Sequence, residues 1–150
     1  MLVATRGALK GTVISDFREY IIIPIFFRKQ IESFVEKATF DSSLCLIFGD
    51  EKENYRIVKS VKPIAFPEGG YNSDTLESQI EEVINSTNIS LIGYAYSGQL
   101  FSRIGLPIPK GHQGTLSFIQ LKVLNKVTQD WTSWITKDCN TSVEKQKVIL

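Results

Sequence analysis

The stretch Ile89–Gln113, ISLIGYAYSGQLFSRIGLPIPKGHQ, decides how the chain is read. Ile89, Leu91 and Ile92 are apolar and β-prone, so it opens as a buried strand. The strand is expected to break at Gly93, pass through Tyr94-Ala95-Tyr96-Ser97-Gly98 and enter a loop with Pro107 and Pro109. A hydrophobic strand that opens into a Gly-rich, hydroxyl-bearing loop is where α/β proteins tend to place their sites. The loop also holds His112, the one histidine of the sequence.

Upstream, Tyr20–Ile23 is β-branched and predicts a strand, ended by Pro24, which suits the first turn of a helix. Phe27, Ile31, Phe34, Val35 and Ala38 then fall on one helical face, opposite Arg28, Lys29, Glu32, Glu36 and Lys37. Ser43–Phe48 is short and apolar throughout, which predicts a strand covered on both faces. Asp50–Asn54 reads as a polar turn, Tyr55–Val61 as a partly exposed antiparallel partner, and Lys62–Tyr71 as a long irregular loop. Asp74 and Glu77 have capping-box spacing ahead of a second helix with Leu76, Ile80, Val83 and Ile84 on its apolar face. The Asn85–Asn88 cluster ends that helix.

Downstream, Leu116, Ile119 or Gln120, Val123 and Val127 have helical spacing and predict a third helix from about Gly114 to Val127. The alternation in Ser117–Val123 keeps a strand open as the alternative. Trp131–Ile135 and Val143–Leu150 read as late strands. The order of elements predicts a single α/β domain over 1–150, of α+β character: a central mixed β-sheet flanked by helices, with residues 1–15 as an N-terminal arm.

Of the 150 residues, 43% are apolar and 22% charged, the balance of an ordinary water-soluble globular domain. The net charge of +1 argues against nucleic-acid binding through bulk charge. Two cysteines, Cys45 and Cys139, are too few for a disulfide scaffold or a cysteine zinc cluster. The longest apolar run, Tyr20–Phe27, falls far short of the ~20 residues a spanning helix needs. With no secretory leader in MLVATRGALKGTVISDFREY, the expected compartment is the cytoplasm.

From Tyr20 to Ile135 the arrangement resembles the MPN/JAB domain, the fold of the JAMM metalloproteases that cut ubiquitin-like isopeptide bonds. IIIPIFFRKQIESFVEKA resembles the family's first strand and helix, and Leu91-Ile92-Gly93-Tyr94 the strand that precedes its metal motif. Ser42 stands where family members carry a glutamate. Tyr96, Ser97, Gly98 and Gln99 stand where active members continue with histidine, serine or threonine, histidine and proline. Gln113 is nearest the aspartate position. Such a zinc site needs two imidazoles and a carboxylate, with water in the open position. A chain with one histidine cannot supply the pair, and Ser97 alone cannot generate a nucleophile near neutral pH.

The resemblance therefore implies a catalytically inactive, metal-free member that works by protein–protein contact, with no cofactor. Its partner would be an active MPN/JAB subunit or a ubiquitin-like protein, in a homo- or heterodimer. The candidate contact surface is Tyr96, Leu100, Phe101, Ile104 and Leu106, flanked by the Pro63–Tyr71 loop. Two alternatives stay open. One is a hydrolase using Ser97 or Cys45 with His112, although no G-x-S-x-G elbow is present. The other is a small-molecule or RNA-binding module using Tyr94, Tyr96 and Arg103.

Overall fold

The computed structural model describes residues 20–37, 42–64, 73–98, 115–137 and 142–150. In chain order these are β1 (Tyr20–Ile22), α1 (Ile25–Lys37), β2 (Ser43–Glu51), β3 (Tyr55–Ile64), α2 (Ser73–Asn85), β4 (Leu91–Ser97), β5 (Ser117–Leu124), β6 (Val127–Lys137) and β7 (Ser142–Ile149). The N-terminal arm expected over 1–15 and most of the 62–71 loop lie outside the described residues.

The strands close into a mixed barrel in the order β1-β3-β2-β4-β5-β6-β7 and back to β1. Pairings β1–β3, β1–β7 and β4–β5 are parallel and the rest antiparallel. The expected central sheet flanked by helices is thus corrected to a closed seven-stranded barrel with two helices. Two local differences produce the change. The segment expected as a third helix is the strand β5, and the three residues of β1 bridge β3 to β7, with Ile21 opposite both Arg56 and Val148.

Each helix serves a different face of the barrel. One cluster has buried residues from β1 to β5, including Ile21, Cys45, Ile47, Val58, Ile92 and Ile119, with Ile31 and Val35 of α1, and the partly buried Trp131 of β6 and Val148 of β7 pack against it. A cluster contributed by every strand of a closed barrel is its interior, so α1 packs into the barrel. A second cluster joins Leu44, Leu46, Tyr94, Tyr96 and Phe118 to Leu76 and Ile80, so α2 covers the outside of β2, β4 and β5. β2 feeds both clusters by strict alternation, which is why Ser43–Phe48 is apolar at every position but the first.

The helix ends follow from local chemistry. The Pro24 carbonyl accepts from the amides of Phe27 and Arg28, both at 2.9 Å, and starts α1. At the end of α2 the Ser86 and Thr87 hydroxyls donate to the Val83 carbonyl at 3.0 and 2.7 Å. These bonds satisfy a carbonyl the helix leaves open, and the expected stop at Asn85–Asn88 is observed.

Gly93 does not break the strand; it lies inside β4. Ile47 faces Gly93 and Phe48 faces Leu91, so Ile92 is the extra residue of a β-bulge. Backbone also comes close at two glycines: a Cβ on Gly93 would stand 2.1 Å from the Ser117 carbonyl oxygen, and one on Gly49 2.1 Å from that of Ile57. Glycine is required at both positions by this approach of neighbouring backbone.

Candidate functional site

The chain ends of β4 and β5 point to the same end of the barrel as the start of β2, because β4–β5 is parallel and β2–β4 antiparallel. At this end Ser43 stands opposite Ser97, one step beyond Cys45 opposite Ala95. Ser42 precedes β2, and Gly98 follows β4 with φ 87°, a left-handed conformation suited to glycine. Four of the six positions matched to the motif, Ser42, Tyr96, Ser97 and Gly98, are therefore at one end of the barrel. Gln99, Gln113 and His112 lie outside the described residues.

The groups at this end are buried hydroxyls. Ser42, Ser43 and Ser97 are almost wholly enclosed. Ser43 and Ser97 share the inward face with Cys45 and Ala95, whereas Tyr96 faces outward beneath α2. Hydroxyls and a glycine do not fit zinc, whose sites are built from imidazole, thiolate and carboxylate. Among the described residues no group of three or more His, Cys, Asp or Glu could hold a metal ion.

Tyr96, expected on the contact surface, is 2% exposed and packs in the outer cluster. Leu100, Phe101, Ile104 and Leu106, the rest of that surface, lie outside the described residues. Tyr94 is buried as well, its ring 5.8 Å from that of Phe118, and burial pushes its hydroxyl pKa up. Neither ring is available to stack on a base. Arg103 is outside the described residues.

Cys45 is a free thiol inside the barrel, and burial pushes its pKa up to about 12. A nucleophilic cysteine needs the opposite shift, toward thiolate, so the local environment works against attack by this sulfur. Ser97 is enclosed at the same end of the interior, where nothing described supplies a base.

The opposite end holds a polar group that the periodicity of β3 concealed. Arg56 is fully buried. Its Nη1 donates to the Ile92 carbonyl at 2.9 Å and to Ser117 Oγ at 3.0 Å. Its Nη2 donates to Glu51 Oε1 at 2.9 Å, to the Thr115 carbonyl at 2.7 Å and to Thr115 Oγ1. The guanidinium thus ties β3 to the bulge residue of β4, to the start of β5 and to the end of β2. Tyr55–Val61 was expected as a partly exposed strand, with no clean alternation to mark its inward side. A bulge at Phe48/Gly49 interrupts the alternation, and Arg56 and Val58 face inward. The available signal was Glu51 across a short turn from an arginine within a β-branched run.

No family model matches the chain, and no curated protein matches it. Solved structures do resemble it. Protein DSY2949 from Desulfitobacterium hafniense, a solution structure, superposes with a TM-score of 0.58 at 13% identity, over 87% of this chain and 92% of that one. A protein from Salinibacter ruber, also solved in solution, gives a TM-score of 0.51 at 8% identity, over 85% and 89% of the two chains. At these identities the likeness shows the fold alone. Among the described residues no helix is long and apolar enough to cross a membrane.

Proposed function

We propose that the chain is a catalytically inactive, metal-free relative of the MPN/JAB proteins that works by protein–protein contact. One observation carries this. Register places Ser43 against Ser97, so the segment matched to the catalytic glutamate meets the segment matched to the metal motif. That is the juxtaposition a metalloprotease of this kind would need. In this match Ser42 takes the place of the glutamate, and Tyr96 and Gly98 take the places of the two histidines. The kinship is carried by the order and meeting of these positions, not by the sheet-between-helices architecture, which the barrel replaces.

The partner in this proposal is an active MPN/JAB subunit or a ubiquitin-like protein, met in the cytoplasm. The test is an isopeptidase assay on ubiquitin-like chains with zinc supplied. The expected result is no turnover that a chelator removes. Chelator-sensitive cleavage that tracks the purified chain would contradict it.

A further inference from the structure

The large apolar side chains left exposed among the described residues are Ile25, Phe26, Leu124, Val127, Ile149 and Leu150, between 39% and 64% exposed. The topology sets all six at one end of the barrel. Leu124 and Val127 face each other across the β5–β6 turn, where Asn125 and Lys126 take φ of 52° and 65°. β7 runs antiparallel to β6, so its end returns to the start of β6. β1 runs parallel to β7 with Ile22 opposite Ile149, and the Ile23 amide donates to the Ile149 carbonyl at 2.9 Å. Ile25 and Phe26 begin α1 directly after it. The six residues therefore form one arc over four consecutive strands of the barrel, β5-β6-β7-β1.

The arc has a middle and two ends. The end of β7 lies between the hairpin tip on one side and the first turn of α1 on the other. A twofold interface is reciprocal: residues at the axis meet their own counterparts, and each part away from it meets the part on the opposite side of the copy. An axis through the end of β7 would set the Leu124–Val127 tip of one copy on Ile25 and Phe26 of the other, twice over. The exposed apolar area of six such side chains is on the order of 600 Å², at the upper limit for a single patch on a monomer and close to the ~800 Å² per partner of a standard interface. Both ends of the arc carry both signs of charge: Lys122 and Asp130 on the hairpin, Arg28, Lys29 and Glu32 on α1. Neither end thus demands a partner of one sign.

We propose that this arc is an interface between two copies of the chain, related by a twofold axis at the end of β7. It deepens the contact function proposed above by naming a partner, and its failure would be seen in molecular mass, not in metal content or cleavage. The experiment is sedimentation equilibrium of the full chain and of the Phe26→Asp and Val127→Asp variants, with folding checked by circular dichroism. The wild type is expected to dimerise below about 100 µM, and each substitution to raise the dissociation constant by at least about tenfold. A cross-link supplies a second readout: in a Cys139→Ser background, Leu150→Cys should form a disulfide dimer on mild oxidation. A monomer throughout this range, or a dimer that neither substitution weakens, overturns the proposal. So does a different protein seated on the arc while the chain itself stays monomeric.

Discussion

Arg56 Nη1 lies 2.9 Å from the carbonyl oxygen of Ile92, the extra residue of the β4 bulge. A bulge disturbs the ladder locally, and here a charged donor buried in the barrel stabilises the displaced carbonyl. The same guanidinium reaches Thr115, Ser117 and Glu51, so one side chain holds three strand segments that local sequence does not bring together.

Replacing Arg56 by methionine keeps much of its volume and removes its donors. The Ile92 and Thr115 carbonyls would then stay buried with fewer partners. The expected loss is about 3 kcal/mol of unfolding free energy in urea titration. Arg56→Lys should recover only part of it, because an ammonium cannot reproduce the planar fork. A loss below about 0.5 kcal/mol, the range of ordinary surface substitutions, would show that the network contributes little.

Gly93→Ala places a methyl group where the Ser117 carbonyl oxygen already stands. The obstacle is backbone, which cannot rotate aside, so β4 and β5 must separate. A loss of about 2 kcal/mol or more is expected, with a matching fall in melting temperature. Unchanged stability would mean that the two strands are not this close at Gly93.

Acid should weaken the attachment of α1 to the β5–β6 hairpin. Contact with Thr128 holds the Glu36 carboxyl below its ordinary value of 4.5, against the opposing effect of burial. The amide contact, 2.7 Å to Oε2, is the well-formed one, since Thr128 Oγ1 is buried without a formed hydrogen bond. A carboxyl whose folded pKa is depressed stabilises the fold above its unfolded pKa and loses that contribution as pH falls through the folded pKa. The stability gap between wild type and Glu36→Gln should therefore be full above pH 4.5 and close progressively below it. A gap that is flat through this range would show that the contact does not discriminate between the two protonation states.

The thiol of Cys45 should resist alkylation. With its pKa pushed up to about 12 and its side chain enclosed, the folded Cys139→Ser variant is expected to leave iodoacetamide unreacted at pH 8 and to consume one equivalent in urea. Rapid labelling of the folded protein would restore Cys45 as a candidate nucleophile.

Both helices were legible because each repeats its apolar residues at helical spacing over about three turns, as Ile31 and Val35 do in α1. The buried run of β2 was legible because its two faces meet two different apolar clusters. Barrel closure was not legible. It rests on three residues of β1 that pair with segments distant in sequence, and no local period records such pairing. In β5, Leu116, Ile119 and Val123 mimic a helical face, whereas Phe118 and Ile119 in fact serve opposite sides of one strand. Gly93 suggested a chain break because a glycine looks the same in sequence whether it ends a strand or admits a neighbour's carbonyl. At the candidate site, the meeting of Ser43 with Ser97 was not legible, because it is set by strand register across β2 and β4. Nor was the burial of Tyr96, since its neighbours on α2 are set by packing across the sheet.

The most direct test of the metal-free account is the zinc content of the folded chain, purified after expression in zinc-supplemented medium and measured by elemental analysis. Hydroxyls at Ser42, Ser43 and Ser97 should retain well under a tenth of an equivalent, about what adventitious binding leaves on a protein without an imidazole pair. One zinc per chain, lost together with Ser97→Ala or His112→Ala, would contradict the account.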